Sequence, residues 1–132
     1  MILFIKTYWR SLLAVLVVFF LSVYNFLPIE KSIPTFPHSD KVIHLLMYAF
    51  LSFFLMLDYK RDNVFKQKRR FFYVILVLFP FVYGAAIEVV QEVFCISRNA
   101  EFLDWVADAL GVFLGAGAAF IWLNRKRKNQ PK

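Results

Sequence analysis

The feature that most constrains this chain is a set of ionisable side chains inside a segment that is otherwise apolar enough to lie in a lipid bilayer. The segment runs from Gly84 to Gly115 and contains Glu88, Asp104 and Asp108. A charged side chain at membrane depth costs about 2.5–3.5 kcal/mol on insertion scales, so such residues are rare unless they have a role. We therefore expect the rest of the chain to be organised around this segment.

The polar residues and glycines of the segment recur at the spacing of one helix face. Two stripes result, one holding Gly84, Glu88, Gln91 and Arg98, the other holding Asp104, Asp108, Gly111 and Gly115. A short connection separates the two stripes, which predicts two consecutive helices that each present a polar face. Glycines repeated every four residues allow helices to approach closely, so we assign Gly84, Gly111 and Gly115 to helix packing.

The composition indicates a membrane protein with a single domain, residues 1–132. The chain is 61% hydrophobic with a mean hydropathy of +0.60, and it contains seventeen Phe residues. These values are well above ordinary globular usage. A length of 132 residues leaves no room for a separate soluble module.

Apolar runs separated by polar or proline-containing segments predict an all-α, integral membrane four-helix bundle. The first run has a charged start like a signal peptide, but no small-residue cleavage site follows it, so we interpret it as an uncleaved helix. Residues 28–39, 58–70 and 97–101 are predicted to be loops, and Ser39 or Asp40 can cap the second helix. The predicted transmembrane helices cover about 8–27, 41–59, 71–96 and 102–123.

The distribution of basic residues predicts the orientation in the membrane. With four spans, both termini and the loop 58–70 share one side, and thirteen of the sixteen Lys and Arg residues lie there; the others are Lys31, Lys41 and Arg98. Basic residues are retained on the cytoplasmic side, so both termini are expected to be cytoplasmic in a multi-pass protein of the inner (plasma) membrane. The net charge of +7 then follows from topology and anionic lipid, and no nucleic-acid partner is expected.

This orientation brings polar residues of three helices to the outer side of the membrane. Glu88 lies ten residues from Arg98, which places it about 15 Å deeper. We therefore predict an outward-facing polar pocket with Glu88 at its floor. The predicted pocket residues are Asp40, Lys41, His44, Glu88, Gln91, Arg98, Asp104 and Asp108.

Three motifs in order carry a resemblance to a known family. They are Asp40-Lys41-x-x-His44 at the start of a helix, Glu88-x-x-Gln91 followed by Arg98, and Asp104-x-x-x-Asp108-x-x-Gly111-x-x-x-Gly115. Over residues 40–115 the chain resembles the VanZ-like membrane proteins, whose name comes from a member linked to teicoplanin resistance. The family usually has Asn where this chain has Asp108, which makes the pocket more acidic here. The resemblance implies an envelope role, with an effect on susceptibility to glycopeptide-type antibiotics, but it implies no reaction.

Several roles stay open for the pocket residues. His44 can carry a proton, bind a metal ion or an anion, or fix helix packing through a carboxylate. Glu88 is either protonated or paired with a cation such as His44 or Lys41. Asp104 and Asp108, one turn apart, can bind a divalent cation, share a proton or complement the start of a helix. We assign no catalytic residue, metal ligand or cofactor, and leave open whether a divalent cation occupies the pocket.

These observations favour a protein that binds or handles a membrane lipid or a lipid-linked envelope precursor, with Arg98 facing phosphate. One alternative is a small membrane subunit of a larger envelope assembly, with a protein partner covering the polar stripe. Another is a membrane-embedded hydrolase or transferase that uses His44 or Glu88 as general base. The sequence contains no recognised catalytic motif, so a non-enzymatic role is favoured, while the ligand and the oligomeric state stay open.

Overall fold

A computed structural model describes residues 2–23, 39–61, 69–94 and 102–128, and within these ranges the chain is entirely α-helical. The all-α fold predicted from the sequence is confirmed. The four helices, in chain order, are α1 (Ile2–Val23), α2 (Ser39–Arg61), α3 (Arg69–Phe94) and α4 (Phe102–Lys128).

Several predicted boundaries differ from the structure, and α4, for example, continues to Lys128, beyond the predicted end at 123. Helix α1 begins at Ile2 and not near Tyr8, because the apolar residues before Lys6 extend it; Tyr8 instead marks a kink, with φ −105° and ψ 16°. The predicted loop 58–70 is too long, since α2 continues to Arg61, where basic residues suit a helix carboxyl end, and α3 begins at Arg69. Most of the predicted loop 28–39 and all of 97–101 lie outside the described residues.

Three of the helices are long and apolar enough to cross a membrane, over Phe4–Ser22, Lys41–Arg61 and Phe102–Lys126. Helix α3 has a shorter apolar stretch, Leu76–Val90, within 26 residues that extend for about 39 Å. Large apolar side chains are exposed along the outer faces of the helices, as expected for surfaces in contact with lipid and not with water. The chain is therefore a membrane protein.

Contacts between the helices define their directions. Contacts near the start of α2 fall near the start of α4, and the ring of Phe53 lies 6.5 Å from that of Trp122 further along both helices. Helices α2 and α4 are thus parallel. Ser11 of α1 contacts Asp58 near the end of α2, and Val18, further along α1, lies in one core cluster with Tyr48, which is earlier in α2. Helix α1 is therefore antiparallel to α2. We call the end where α2 and α4 begin the acidic end, and the end where they finish the basic end.

Helix α2 lies at the centre and packs most extensively against α4. Two glycines of α4 make this close approach possible. A Cβ atom at Gly111 would collide with the carbonyl oxygen of Leu45, and one at Gly115 with the carbonyl oxygen of Ala49. The Ser52 hydroxyl also donates a 2.9 Å hydrogen bond to the carbonyl oxygen of Val112. The side chains of α2 and α4 near the acidic end are consequently held at a short and defined separation.

Candidate functional site

The close packing of α2 and α4 pairs their polar residues one by one near the acidic end. The outermost pair joins the Lys41 ammonium to the Asp104 carboxylate, with 3.2 Å between Nζ and Oδ1. Lys41 is partly exposed and Asp104 is buried. This pair balances one negative charge with one positive charge.

One turn deeper, His44 of α2 meets Asp108 of α4. The His44 Nδ1 atom lies 2.9 Å from Asp108 Oδ1, and both residues are almost fully buried, with exposed fractions of 1% and 2%. A neutral imidazole with its proton on Nδ1 would donate this hydrogen bond, and its Nε2 atom would then be the basic ring nitrogen.

Glu88 of α3 lies close to both His44 and Asp108, so three helices contribute to this site. One nitrogen of His44 and one carboxylate oxygen each of Glu88 and Asp108 lie within 4.8 Å of one another, and Glu88 is 91% buried, since its exposed fraction is 9%. We call His44, Glu88 and Asp108 the His44 cluster. It combines two carboxylates with one imidazole inside an apolar bundle.

The hydroxyl group of Tyr48 lies beside this cluster. Tyr48 follows His44 by one turn of α2 and is fully buried. A Cβ atom built on Gly84 would lie 3.1 Å from Asp108 Oδ2 and 3.3 Å from the Tyr48 hydroxyl oxygen. Gly84 therefore leaves space for a carboxylate oxygen and a phenol to approach the same point, and a side chain there would press on both.

The structure thus brings together Lys41, His44, Glu88, Asp104 and Asp108 out of the predicted pocket residues. His44 bonds Asp108 and Lys41 bonds Asp104, while a pairing of Glu88 with His44 or Lys41 stays a prediction. Asp40 and Gln91 lie in α2 and α3, but their side chains are outside the described part of the structure, as is the whole of Arg98.

An apolar groove adjoins the cluster on the lipid-facing side of α3 and α4. Its volume is about 770 Å³, within the range of pockets that hold small ligands. Trp105, which lines the groove, directly follows Asp104, and Ala85, also in its lining, directly follows Gly84. The residues that line the groove are Val74, Val77, Leu78, Phe81, Val82, Ala85 and Trp105.

A second buried ionic group lies at the basic end, and the sequence interpretation missed it. Asp58 is fully buried and accepts hydrogen bonds from Arg10 Nε at 2.8 Å, Ser11 N at 3.0 Å and Ser11 Oγ at 2.8 Å. We call Arg10, Ser11 and Asp58 the Asp58 cluster. The sequence analysis placed Asp58 in a loop and therefore did not identify it as a buried residue. The available signal was a single acidic residue just before the basic pair Lys60 and Arg61.

The His44 cluster and its surroundings can perform a limited range of chemistry. Two carboxylates and an imidazole can hold a cation, exchange a proton, or bind an amine or hydroxyl group. No protein-family model, no curated protein and no solved structure matches the chain. The similarity to the VanZ-like proteins therefore remains a resemblance carried by the motifs over residues 40–115.

Proposed function

We propose that this chain is a membrane protein of the cell envelope that binds the polar end of a lipid or of a lipid-linked envelope component. The observation that supports this proposal best is the position of an apolar groove directly beside a buried polar cluster. A lipid has the same two parts, an apolar chain joined to a polar head. The groove suits the chain, and the polar residues at the acidic end suit the head.

Trp105 and Asp104 provide the junction between the two parts. Trp105 lines the groove, while its neighbour Asp104 is buried against Lys41 on the other face of α4. Indole rings favour the boundary between apolar and polar regions of a membrane. A lipid seated in the groove would place its head at the level of the Lys41–Asp104 pair.

The charged residues of the pocket indicate which functional groups the lipid head is expected to carry. Arg98 is predicted to contact a phosphate, as guanidinium groups form strong charge-assisted bonds with phosphate oxygens. Glu88, Asp104 and Asp108 favour amine or hydroxyl groups on the same head. Because Asp108 replaces the Asn that is usual in VanZ-like proteins, the ligand here is expected to carry more positive charge, or to bind together with a cation.

Native mass spectrometry of the full chain extracted in mild detergent tests this proposal. The wild type is expected to carry a co-purified lipid that Arg98→Ala and Ala85→Trp both lose. Arg98→Ala removes the predicted phosphate contact, whereas Ala85→Trp fills the groove from α3. The mass of the lipid would also identify the class of its head group.

Ala86→Trp is the matched control. Ala86 is the next residue of α3 and is exposed like Ala85, but it is not part of the groove lining. Ala86→Trp should therefore retain the lipid. A wild-type chain that carries no lipid, or lipid lost equally from both Trp variants, would overturn the proposal. A polypeptide bound in every form would instead favour the subunit alternative.

A further inference from the structure

The geometry points to a binding site for one divalent transition-metal ion, held by His44 of α2, Glu88 of α3 and Asp108 of α4. This site goes beyond the proposed lipid function and does not depend on it. The two carboxylates that the sequence places one turn apart, Asp104 and Asp108, are not its ligands as a pair, since Asp104 is bound by Lys41.

The distances between the three ligand atoms suit a single metal ion. The three ligand atoms lie within 4.8 Å of one another, and His44 Nδ1 is 2.9 Å from Asp108 Oδ1. Ligands bound at about 2.0–2.2 Å around one ion lie about 3–3.5 Å from each other. The cluster therefore needs only small side-chain movements to surround an ion, and its ligands come from three helices that the packing already fixes.

Charge is the second argument. Two of the three residues of the His44 cluster are carboxylates, and all three residues are buried. Two ionised carboxylates in a low-dielectric interior are costly unless cations compensate them. A divalent ion with a neutral imidazole neutralises both carboxylates, whereas protonation of His44 compensates only one.

Tyr48 supplies an independent observation. Its hydroxyl group is fully buried, and no hydrogen-bond partner for it exists among the described residues. It approaches the same point beside Gly84 as Asp108 Oδ2, the oxygen that does not bond His44. A buried phenol without a partner is unusual, and an ion or an oxygen atom bound to that ion would provide one.

The donor set selects the class of ion. Imidazole nitrogen suits Zn²⁺, Cu²⁺, Fe²⁺ and Ni²⁺, whereas carboxylate oxygens alone suit Mg²⁺, Ca²⁺ and Mn²⁺. One imidazole nitrogen beside two carboxylates therefore favours an ion such as Zn²⁺ over Ca²⁺ or Mg²⁺, and Mn²⁺, which accepts carboxylate oxygens, serves as a paramagnetic probe of the same site.

The test is a Zn²⁺ titration of the full chain in detergent after removal of metal with a chelator. The wild type should bind one ion per chain, and His44→Gln, Glu88→Gln and Asp108→Asn should each weaken binding at least about tenfold. Ser52→Ala is the control. It removes a buried hydrogen bond between α2 and α4 two turns from His44, and it should leave Zn²⁺ affinity unchanged.

A second measurement covers the case in which cluster variants fail to fold. The chain has two histidines, so in His38→Gln the only remaining histidine is His44. Pulsed electron paramagnetic resonance of Mn²⁺ bound to His38→Gln should then show coupling to an imidazole nitrogen. Absence of Zn²⁺ binding by the wild type, equal binding by the folded cluster variants, or Mn²⁺ without nitrogen coupling would each overturn the inference. None of these readouts involves lipid, so failure here leaves the lipid proposal standing.

Discussion

At the basic end of the bundle, Asp58 meets Arg10 and Ser11, while near the acidic end Glu88 and Asp108 meet His44. Both groups bury carboxylates between helices, but their charge balance differs. In the Asp58 cluster one carboxylate faces one guanidinium, and both of its oxygens accept hydrogen bonds. In the His44 cluster two carboxylates and one imidazole lie within 4.8 Å of one another.

The Asp58 cluster has a clear structural purpose, which follows from the kink at Tyr8. The kink starts a new helical segment, and Ser11 is the third residue after it. The first N–H groups of a helix have no partner within that helix. The Asp58 carboxylate accepts the Ser11 N–H as an N-cap residue would, although it comes from α2. This cluster therefore joins α1 to α2 and stabilises the start of the straight part of α1.

This comparison separates an architectural ion pair from a candidate binding site. In the Asp58 cluster the two charges balance and both carboxylate oxygens accept hydrogen bonds, so its contribution is to folding. A cluster that holds two carboxylates and one imidazole becomes more stable when it binds a cation.

The largest effect is expected for Asp58→Asn. The amide nitrogen would face donors of Arg10 or Ser11, and the guanidinium would lose its charge partner inside the bundle. Breaking a buried pair in this way costs about 3–5 kcal/mol. The free energy of unfolding in detergent micelles, measured by helical circular dichroism during denaturation, checks this value.

Lys60→Gln is the control for Asp58→Asn, because Lys60 is an exposed charge at the same end of α2; it should leave the free energy of unfolding unchanged. The double variant Arg10→Met/Asp58→Leu removes both charges and should recover part of the loss. If Asp58→Asn unfolds like the wild type, the cluster is not architectural.

A smaller effect is expected for Gly115→Ala, which acts on the packing that positions the His44 cluster. The new Cβ atom would meet the backbone of Ala49, so α2 and α4 must separate, at a cost of about 1–3 kcal/mol. Thermal unfolding measures the change. Gly117→Ala, two residues further on, is the matched control. A Cβ atom at Gly117 meets nothing within 4 Å, so this variant should be neutral or more stable. Equal effects in both variants would show that the close contact of Gly115 with α2 does not control the stability of the bundle.

The sequence predicted the helical fold because four apolar runs with polar interruptions leave few alternatives. It also indicated which residues face one another, because Lys41, His44, Asp104 and Asp108 recur at helical spacing on segments that run in the same direction. Their individual pairings depend on the axial register of α2 against α4. That register is set by the contacts of Gly111 and Gly115 with the α2 backbone. It cannot be predicted from the spacing of residues within one helix.

The Asp58 cluster shows where prediction from sequence stops. The bond from Ser11 depends on the kink at Tyr8, which no proline or glycine signals, since Tyr8 is flanked by Thr7 and Trp9. Tyr48 was missed for a related reason. A tyrosine in an apolar helix resembles an ordinary core residue until a neighbouring helix places a carboxylate beside its hydroxyl group.

The smallest effect on stability, and the sharpest comparison, is expected for Asp108→Asn measured in the presence of a chelator. The substitution is the same as in Asp58→Asn, but here the amide oxygen can still accept the hydrogen bond from His44. The variant also removes one of the two carboxylates of the His44 cluster. Replacing one hydrogen-bond acceptor with another changes the free energy of unfolding by less than about 1 kcal/mol. Denaturation of Asp58→Asn and Asp108→Asn side by side checks this. A loss at Asp108 as large as the loss at Asp58 would mean that both clusters are architectural. A folded, stable Asp108→Asn chain that no longer binds Zn²⁺ would show that the Asp108 carboxylate is needed for metal binding and not for folding.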